Sequence, residues 1–137
     1  MLGTDQYSPN MISVMENVRG YIQSNNVILN TYSNPVSLCG VLDECSVIVT
    51  TKLHVGIVGA HLGKSVISFS GHTSKIKRLY EQLGLDDRSI PLNTLNTESG
   101  LSMLEKYYDK PITVDKEIID SAKNNFKILN DFIDTIK

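Results

Sequence analysis

Apolar residues recur at helical spacing near the start of the chain and then give way to a short apolar run. After Ser8-Pro9, which offers a polar cap and a first-turn proline, the apolar positions from Met11 to Ile22 repeat every three or four residues. This spacing predicts an amphipathic helix that ends near Asn25-Asn26. The apolar run Val27–Tyr32 follows it and predicts a short strand.

The middle of the chain alternates predicted helices and strands. Asn34-Pro35 opens a second helix, and the consecutive β-branched residues of Val47-Ile48-Val49 predict an interior parallel strand over Ser46–Thr51. The segment Leu53–Leu62 is predicted to be helical, with Gly63 as its C-cap. Three small residues share one face of this helix, which can therefore lie close to the sheet: Gly56, Gly59 and Ala60.

Two more strands and a helix follow. Ser65–Ser70 predicts the third strand, and Lys75–Leu83 predicts a helix that stops at Gly84. Ser89–Leu92 predicts a fourth strand, which we place at an edge because it contains Pro91.

Two helices are predicted at the end of the chain. One runs from Glu98 to Tyr108 after a Thr97 cap, and the other runs from Val114 to about Ile136 after a Thr113 cap. The last helix carries an apolar stripe that we expect to cover another surface. Its members are Ile118, Ala122, Phe126, Leu129, Ile133 and Ile136.

Strands that alternate with helices of about ten residues indicate βαβ units with right-handed crossovers. We therefore expect an α/β fold: a Rossmann-like three-layer domain with a short parallel sheet of about four strands, helices on both faces and a long final helix. A length of 137 residues fits one ordinary domain, so we expect a single domain over residues 1–137.

Composition and charge exclude several classes of protein. A net charge of -2 with scattered Lys and Arg residues disfavours nucleic-acid binding. The longest apolar runs are far shorter than the roughly 20 residues of a membrane span, and the amino terminus lacks the pattern of a secretory signal. Cys39 and Cys45 are expected to be buried, reduced thiols, which favours a cytoplasmic protein without a zinc site. No glycine-rich phosphate motif occurs, so no cofactor is expected.

In an open parallel sheet, ligands bind beyond the carboxyl ends of the strands. Two predicted helices begin at that edge, at Leu53-His54 and at Ser74-Lys75, and helix amino termini favour anions. Lys52 adds positive charge, and His54 and His72 add donors that titrate near neutral pH. We therefore expect a phosphorylated or carboxylated ligand. The polar residues gathered at this edge are Thr31, Tyr32, Thr50, Thr51, Lys52, Ser70, Gly71, His72, Thr73 and Asn93.

Each of these residues also has an ordinary structural interpretation. Lys52 could be a solvated charge at the end of a strand, and His54 could be a helix cap. We favour a functional role for both because they flank a buried leucine at the edge where ligands bind. His72 fits a turn residue equally well. His61 lies roughly 10 Å along the helix axis from His54, and we expect it to be a surface histidine rather than a metal ligand.

Three segments share the order and spacing of a known family. They are Cys45–His54, Ala60–Ile67, and Lys75 followed by Leu79–Gly84. This pattern resembles the carboxyl-terminal lobe of the polysaccharide pyruvyl transferase family. Its members show an apolar strand ending in Arg-Leu-His, an apolar helix, another strand, and a loop that leads to a Lys before a Leu-Gly helix end. Lys52 stands in place of the Arg.

The resemblance implies a two-lobed, glycosyltransferase-B-like fold that transfers a pyruvyl group from phosphoenolpyruvate to a hydroxyl pair on a sugar of a cell-surface polysaccharide. Lys52 would clamp the carboxylate or phosphate of the donor, and His54 would transfer protons or bind phosphate. Lys75 would be a second anion contact. The amino-terminal lobe, which would form the other wall of the cleft, is expected to be absent. The remaining expected substrate-binding residues are Thr51, Leu53, Ser70 and His72.

Three functions fit these observations. The first is the donor-binding half of a pyruvyl transferase, inactive by itself, with phosphoenolpyruvate or another phosphorylated donor and a sugar acceptor as partners. The second is a glycosyltransferase lobe that holds the diphosphate of a nucleotide-sugar with Lys52 and His54. The third is a non-catalytic binding or assembly module that exposes the stripe Ile118–Ile136 to a partner, either a missing lobe or a second copy of the chain.

Overall fold

The computed structural model describes residues 2–3, 20, 30–31, 34–70 and 73–136. The chain forms two compact units, residues 1–41 and residues 42–137. Three predictions lie wholly or mostly outside the described residues and stay predictions: the helix from Met11 to Ile22, the strand Val27–Tyr32, and the role of His72.

The first unit contains two very short strands. β1 (Leu2–Gly3) and β2 (Asn30–Thr31) pair in parallel, with Gly3 opposite Thr31. Thr31 therefore belongs to this two-stranded sheet and not to the sheet that carries Thr50. The expected grouping of Thr31 with Thr50 at one edge stays a prediction.

The helix α1 (Pro35–Asp43) begins where the sequence predicts. The Asn34 side chain accepts a hydrogen bond from the Ser37 backbone N–H at 2.9 Å, and Pro35, which has no N–H to satisfy, takes the first helical position. Gly40 lies in the helix interior, where an added Cβ would meet no atom of the described residues within 4 Å. The start of α1 is thus fixed by local chemistry.

Three parallel strands form the sheet of the second unit. β3 (Val47–Thr50), β4 (Ser65–Ser70) and β5 (Ser89–Pro91) lie in the order β3-β4-β5. This arrangement confirms the α/β class with a short parallel sheet, although the sheet has three strands rather than about four.

β4 is the interior strand of this sheet. Val66 and Ile67 are both 0% exposed, so β4 is buried on both faces. The prediction that β3 is interior is wrong for the described part of the chain, because β4 is the only strand beside it and Val49 is 47% exposed. A run of β-branched residues therefore does not by itself distinguish an interior strand from an edge strand.

Two helices, α2 (Leu53–His61) and α3 (Thr73–Gln82), cover one face of the sheet. A Cβ added to Gly59 of α2 would lie 2.7 Å from Ile48 Cδ1 and 3.0 Å from Val66 Cγ2. The missing side chain therefore lets the backbone of α2 approach β3 and β4 closely. This confirms the predicted role of the small-residue face.

Both helices end at the predicted glycines, which lie in the left-handed region. Gly63 has φ +67°, and its N–H donates to the Ala60 carbonyl at 3.1 Å. Gly84 has φ +65°, and the Leu85 N–H beyond it donates to the Tyr80 carbonyl at 2.7 Å. Glycine adopts this conformation without the steric cost that other residues have, so these two positions terminate the helices sharply.

The other face of the sheet is covered by α4 (Thr97–Tyr107). Successive side chains along a strand point to opposite faces, so Ile67 points away from α2. It packs in a buried cluster with Met103 and Tyr107, and Phe69 of the same strand lies against that cluster. Helices on both faces of a parallel sheet match the three-layer prediction.

The caps of the last two helices differ from the predicted threonine caps. Asn96 caps α4, because its side chain accepts a hydrogen bond from the Ser99 N–H at 2.8 Å. Asp115 caps α5 (Lys116–Thr135), because its side chain accepts from the Glu117 N–H at 2.9 Å. Both helices exist as predicted, with first residues that differ from the prediction by one or two positions and last residues that differ by one.

The long helix α5 has no buried residue along its whole length. Phe126 is 71% exposed and Phe132 is 61% exposed. The predicted apolar stripe thus lies on a real helix but faces solvent. None of the helices in the described ranges is long and apolar enough to cross a membrane.

Candidate functional site

Two strand ends and two helix starts meet at the carboxyl edge of the three-stranded sheet. β3 ends at Thr50 and α2 begins at Leu53, whereas β4 ends at Ser70 and α3 begins at Thr73. Because Thr50 pairs with Ser68 on adjacent parallel strands, the carboxyl ends of β3 and β4 lie side by side. This is the edge at which the sequence predicts a ligand.

The first connection is held in shape by Thr50. Its hydroxyl oxygen accepts a hydrogen bond from the Lys52 backbone N–H at 3.0 Å, and the Thr50 residue is only 9% exposed. Lys52 adopts an extended backbone, with φ −105° and ψ 125°, and is the N-cap of α2. The buried threonine therefore fixes where Lys52 leaves the sheet and where α2 begins.

The amino terminus of α2 breaks the usual rules for a helix start. Its N-cap residue, Lys52, has no acceptor atom and forms no capping hydrogen bond through its side chain. The first turn contains no acidic residue, and His54 lies in it. A lysine in place of a Ser, Thr, Asp or Asn cap costs about 1 kcal/mol, and a cation beside the positive helix end is unfavourable. A bound anion would remove both penalties.

The structure presents the predicted site residues in different ways. Thr51 and Lys52, which connect β3 to α2, are exposed, and so is His54 in the first turn of α2. Leu53, between Lys52 and His54, is half-buried. Lys75 is exposed in the first turn of α3, which also lacks acidic residues. Ser70 is 3% exposed at the end of β4, and His72 lies outside the described residues. The exposed cations are thus available to a ligand, whereas the Ser70 side chain is enclosed.

A buried tyrosine that the sequence analysis did not single out as a site residue lies beneath this edge. Tyr80 of α3 is 2% exposed, and its hydroxyl oxygen lies 3.1 Å from the position of a Cβ added to Gly56 in α2. Burial raises the pKa of Tyr80, and the weaker effects of Ser68 and Arg88 lower it. The hydroxyl nevertheless has no hydrogen-bond partner of acceptable geometry among the described residues. Tyr80 follows the buried Ile76 by four positions on α3, and this helical spacing is the sequence signal that could have indicated its burial.

A second polar cluster lies at the opposite edge, where β4 starts at Ser65. Arg88 is 7% exposed, its Nη1 donates to Ser65 Oγ at 3.3 Å, and its guanidinium carbon lies 4.5 Å from the centre of the Tyr107 ring. The Tyr107 hydroxyl and Lys106 Nζ both donate to the Asp87 carboxylate. The hydrogen bond from Tyr107 lowers the pKa of Asp87 more than burial raises it, and Lys106 lowers it further. This cluster joins α4 to the strands and lies away from the candidate site.

The described residues contain no cluster of His, Cys, Asp and Glu side chains that could hold a metal ion. Cys39 and Cys45 are both half-buried. His61 is exposed in the last turn of α2, at the end opposite His54.

Comparison with known proteins gives one match. Residues 7–73, just under half of the chain, match the family model described as polysaccharide pyruvyl transferase. The family resemblance is confirmed. No curated protein and no solved structure matches the chain.

The polysaccharide pyruvyl transferase match covers a different range from the motifs read in the sequence. It begins at residue 7, well before Pro35, and it contains the β3–α2 connection with Lys52 and His54. It ends at Thr73, so Lys75 and the end of α3 lie beyond it. The predicted role of Lys75 therefore depends on its position at the sheet edge and not on the family match.

Proposed function

We propose that this chain is the donor-binding lobe of a polysaccharide pyruvyl transferase, which transfers a pyruvyl group from phosphoenolpyruvate to a sugar of a cell-surface polysaccharide. The observation that carries the proposal is the cationic, uncapped start of α2 at Lys52 and His54, inside the segment that matches the family. Sites that break local folding rules are those where function is expected, because proteins keep such unfavourable features mainly at functional positions and compensate for them elsewhere.

Phosphoenolpyruvate suits this edge because it carries two anionic groups on one small molecule. The exposed Lys52 and the N–H groups at the start of α2 can bind one of them. The start of α3, with the exposed Lys75 and no acidic residue in its first turn, can bind the other. Two helix starts that follow adjacent strands thus fit a ligand with two negative groups.

In the proposed transfer, a proton adds to the C3 methylene of phosphoenolpyruvate, which makes C2 electrophilic. The two sugar hydroxyl oxygens bond to C2, the bond from C2 to the phosphate oxygen breaks, and inorganic phosphate leaves. Of the two protons released by the hydroxyls, one balances the proton taken up at C3 and the other leaves on phosphate. His54, exposed in the first turn of α2, is the side chain that we expect to move a proton.

Isothermal titration with phosphoenolpyruvate tests the site. We expect weak binding by the chain alone, with a Kd of about 1 mM, and no turnover. Removing a charged hydrogen-bonding partner weakens binding roughly tenfold, so Lys52→Ala and His54→Gln should each do so. His61→Gln is the matched control, because it changes an exposed histidine at the other end of the same helix. Unchanged binding in Lys52→Ala and His54→Gln would contradict the assignment.

Two further measurements sharpen the test. Lys52→Arg should tighten binding several-fold, because a guanidinium matches a carboxylate or phosphate with two parallel hydrogen bonds. Thermal-shift assays with uridine and guanosine diphosphates separate the proposal from a nucleotide-sugar transferase. Stabilisation by a nucleoside diphosphate, and not by phosphoenolpyruvate, would favour the alternative.

A further inference from the structure

α5 and its C-cap residue carry half of the large apolar side chains that are exposed among the described residues. Six bulky side chains on this helix are each more than a third exposed. Together they present roughly 700 Å² of apolar surface, which exceeds the largest apolar patch on a typical monomer. They are Phe126, Ile128, Leu129, Phe132, Ile133 and Ile136.

The spacing along α5 is that of a helix that pairs with another helix. Six residues, which we name the α5 seam, are separated alternately by three and four positions. This is the a/d pattern of a coiled coil, narrower than the stripe of a helix that packs on a sheet. The α5 seam consists of Ile119, Ala122, Phe126, Leu129, Ile133 and Ile136.

The area and the charge of α5 both suit a second copy of the same helix. A stable interface buries about 800 Å² on each partner, close to the roughly 700 Å² that the six bulky side chains present, four of which belong to the α5 seam. Residues 116–127 carry three lysines against two acids, a net charge of +1, whereas residues 128–137 carry Asp131 and Asp134 against Lys137, a net charge of -1. Two copies in antiparallel orientation place these unlike halves together, whereas a parallel pair places the acidic halves against each other.

We propose that α5 is a dimerisation surface on which a second copy of this chain packs its own α5 in antiparallel orientation. In that arrangement Phe126 meets Leu129 of the other copy at the centre of the α5 seam. The small Ala122 meets the larger Ile133 on either side, so volumes alternate across the interface. This proposal does not depend on the transferase function, because the α5 seam contains none of the candidate site residues.

Sedimentation velocity of the full chain from about 1 to about 200 μM tests the proposal. We expect a monomer–dimer equilibrium, and the double variant Phe126→Ala/Leu129→Ala should raise its Kd at least tenfold. Alanine has the highest helix propensity, so circular dichroism should show that α5 is retained. The matched control is Ser121→Ala/Asn124→Ala, which alters two exposed polar residues outside the α5 seam and should leave the Kd unchanged.

Cysteine cross-linking tests the orientation in a Cys39→Ser/Cys45→Ser background. A mixture of Ile119→Cys and Ile136→Cys chains should form a disulfide between unlike chains, and neither variant alone should do so. Cross-linking of Ile119→Cys alone would overturn the antiparallel arrangement.

Two results would overturn dimerisation itself. One is a monomer at every concentration. The other is a protein that is monomeric and that unfolds more easily when Phe126→Ala/Leu129→Ala is introduced. That result would show that another segment of the same chain covers α5.

Discussion

Replacing Gly59 of α2 with alanine tests whether close contact between this helix and the sheet sets the stability of the second unit. Alanine is normally the better helix former, by about 1 kcal/mol. At Gly59, however, the new methyl group would lie 2.7 Å from Ile48 Cδ1 and 3.0 Å from Val66 Cγ2. Both distances are shorter than an ordinary van der Waals contact, so one of these side chains or the helix must move.

The size of the effect follows from the neighbours. Ile48 is 5% exposed and Val66 is 0% exposed, so neither side chain can turn into solvent. Overpacking a core by one methyl group costs about 1–3 kcal/mol, which exceeds the gain in helix propensity. We expect Gly59→Ala to lower the free energy of unfolding by up to about 2 kcal/mol.

Urea denaturation followed by circular dichroism measures this change, and two variants control it. Gly40→Ala makes the same substitution in the interior of α1, where no described atom lies within 4 Å, and should raise the free energy of unfolding by about 0.5–1 kcal/mol. Ile48→Val removes the closest methyl group, so it should lessen the cost of Gly59→Ala. The double variant should therefore be less destabilised than the two single effects added together.

The reasoning is refuted by either of two results. If Gly59→Ala stabilises the protein as much as Gly40→Ala, α2 can move off the sheet at no cost and the contact does not matter. If Gly59→Ala and Ile48→Val have additive effects, the two residues do not compete for the same space.

Two further predictions concern tyrosine hydroxyls on opposite faces of the sheet. The Tyr107 hydrogen bond lowers the pKa of Asp87 below its ordinary 3.8, so this contribution to stability is present above about pH 4 and is lost as the pH falls through the folded-state pKa. Urea titrations from about pH 6 to pH 2 should show that the free energy of unfolding falls less steeply with pH in Asp87→Asn than in the unaltered protein. An equally steep fall in both proteins would contradict the assignment. Tyr80→Phe removes a buried hydroxyl that lacks a partner among the described residues, so the free energy of unfolding should stay level or rise by about 1 kcal/mol. A decrease in the same urea assay would show that the hydroxyl is hydrogen-bonded in solution.

The helices of the second unit were predictable because their signals are local. Gly63 and Gly84 end helices through their own backbone conformation, and a neighbouring sequence pattern is enough to recognise them. The strand order was not predictable in the same way. Val47-Ile48-Val49 reads as an interior strand by composition, yet its place at the edge depends on pairing between distant segments.

Among the polar side chains, the sequence analysis singled out exposed residues and missed buried ones. Lys52 and His54 follow from the rule that ligands bind at the carboxyl edge of a parallel sheet, and both are exposed there. Arg88 and Tyr80 were missed because burial of a charged or hydroxylated side chain is decided by tertiary packing. The partners that offset the cost of burying Arg88 are Ser65 and Tyr107, and both come from other elements of the chain.

The two ends of α2 differ in a way that bears on function. At its carboxyl end the helix follows the rules, with Gly63 as the terminating residue and His61 near the negative end of the helix dipole. At its amino end it has Lys52 as an N-cap, His54 in the first turn and no acid. A helix held against the sheet by Gly59 tolerates this unfavourable start, because tertiary packing rather than capping keeps it folded. Close packing of α2 therefore allows its amino terminus to remain cationic and open to an anion.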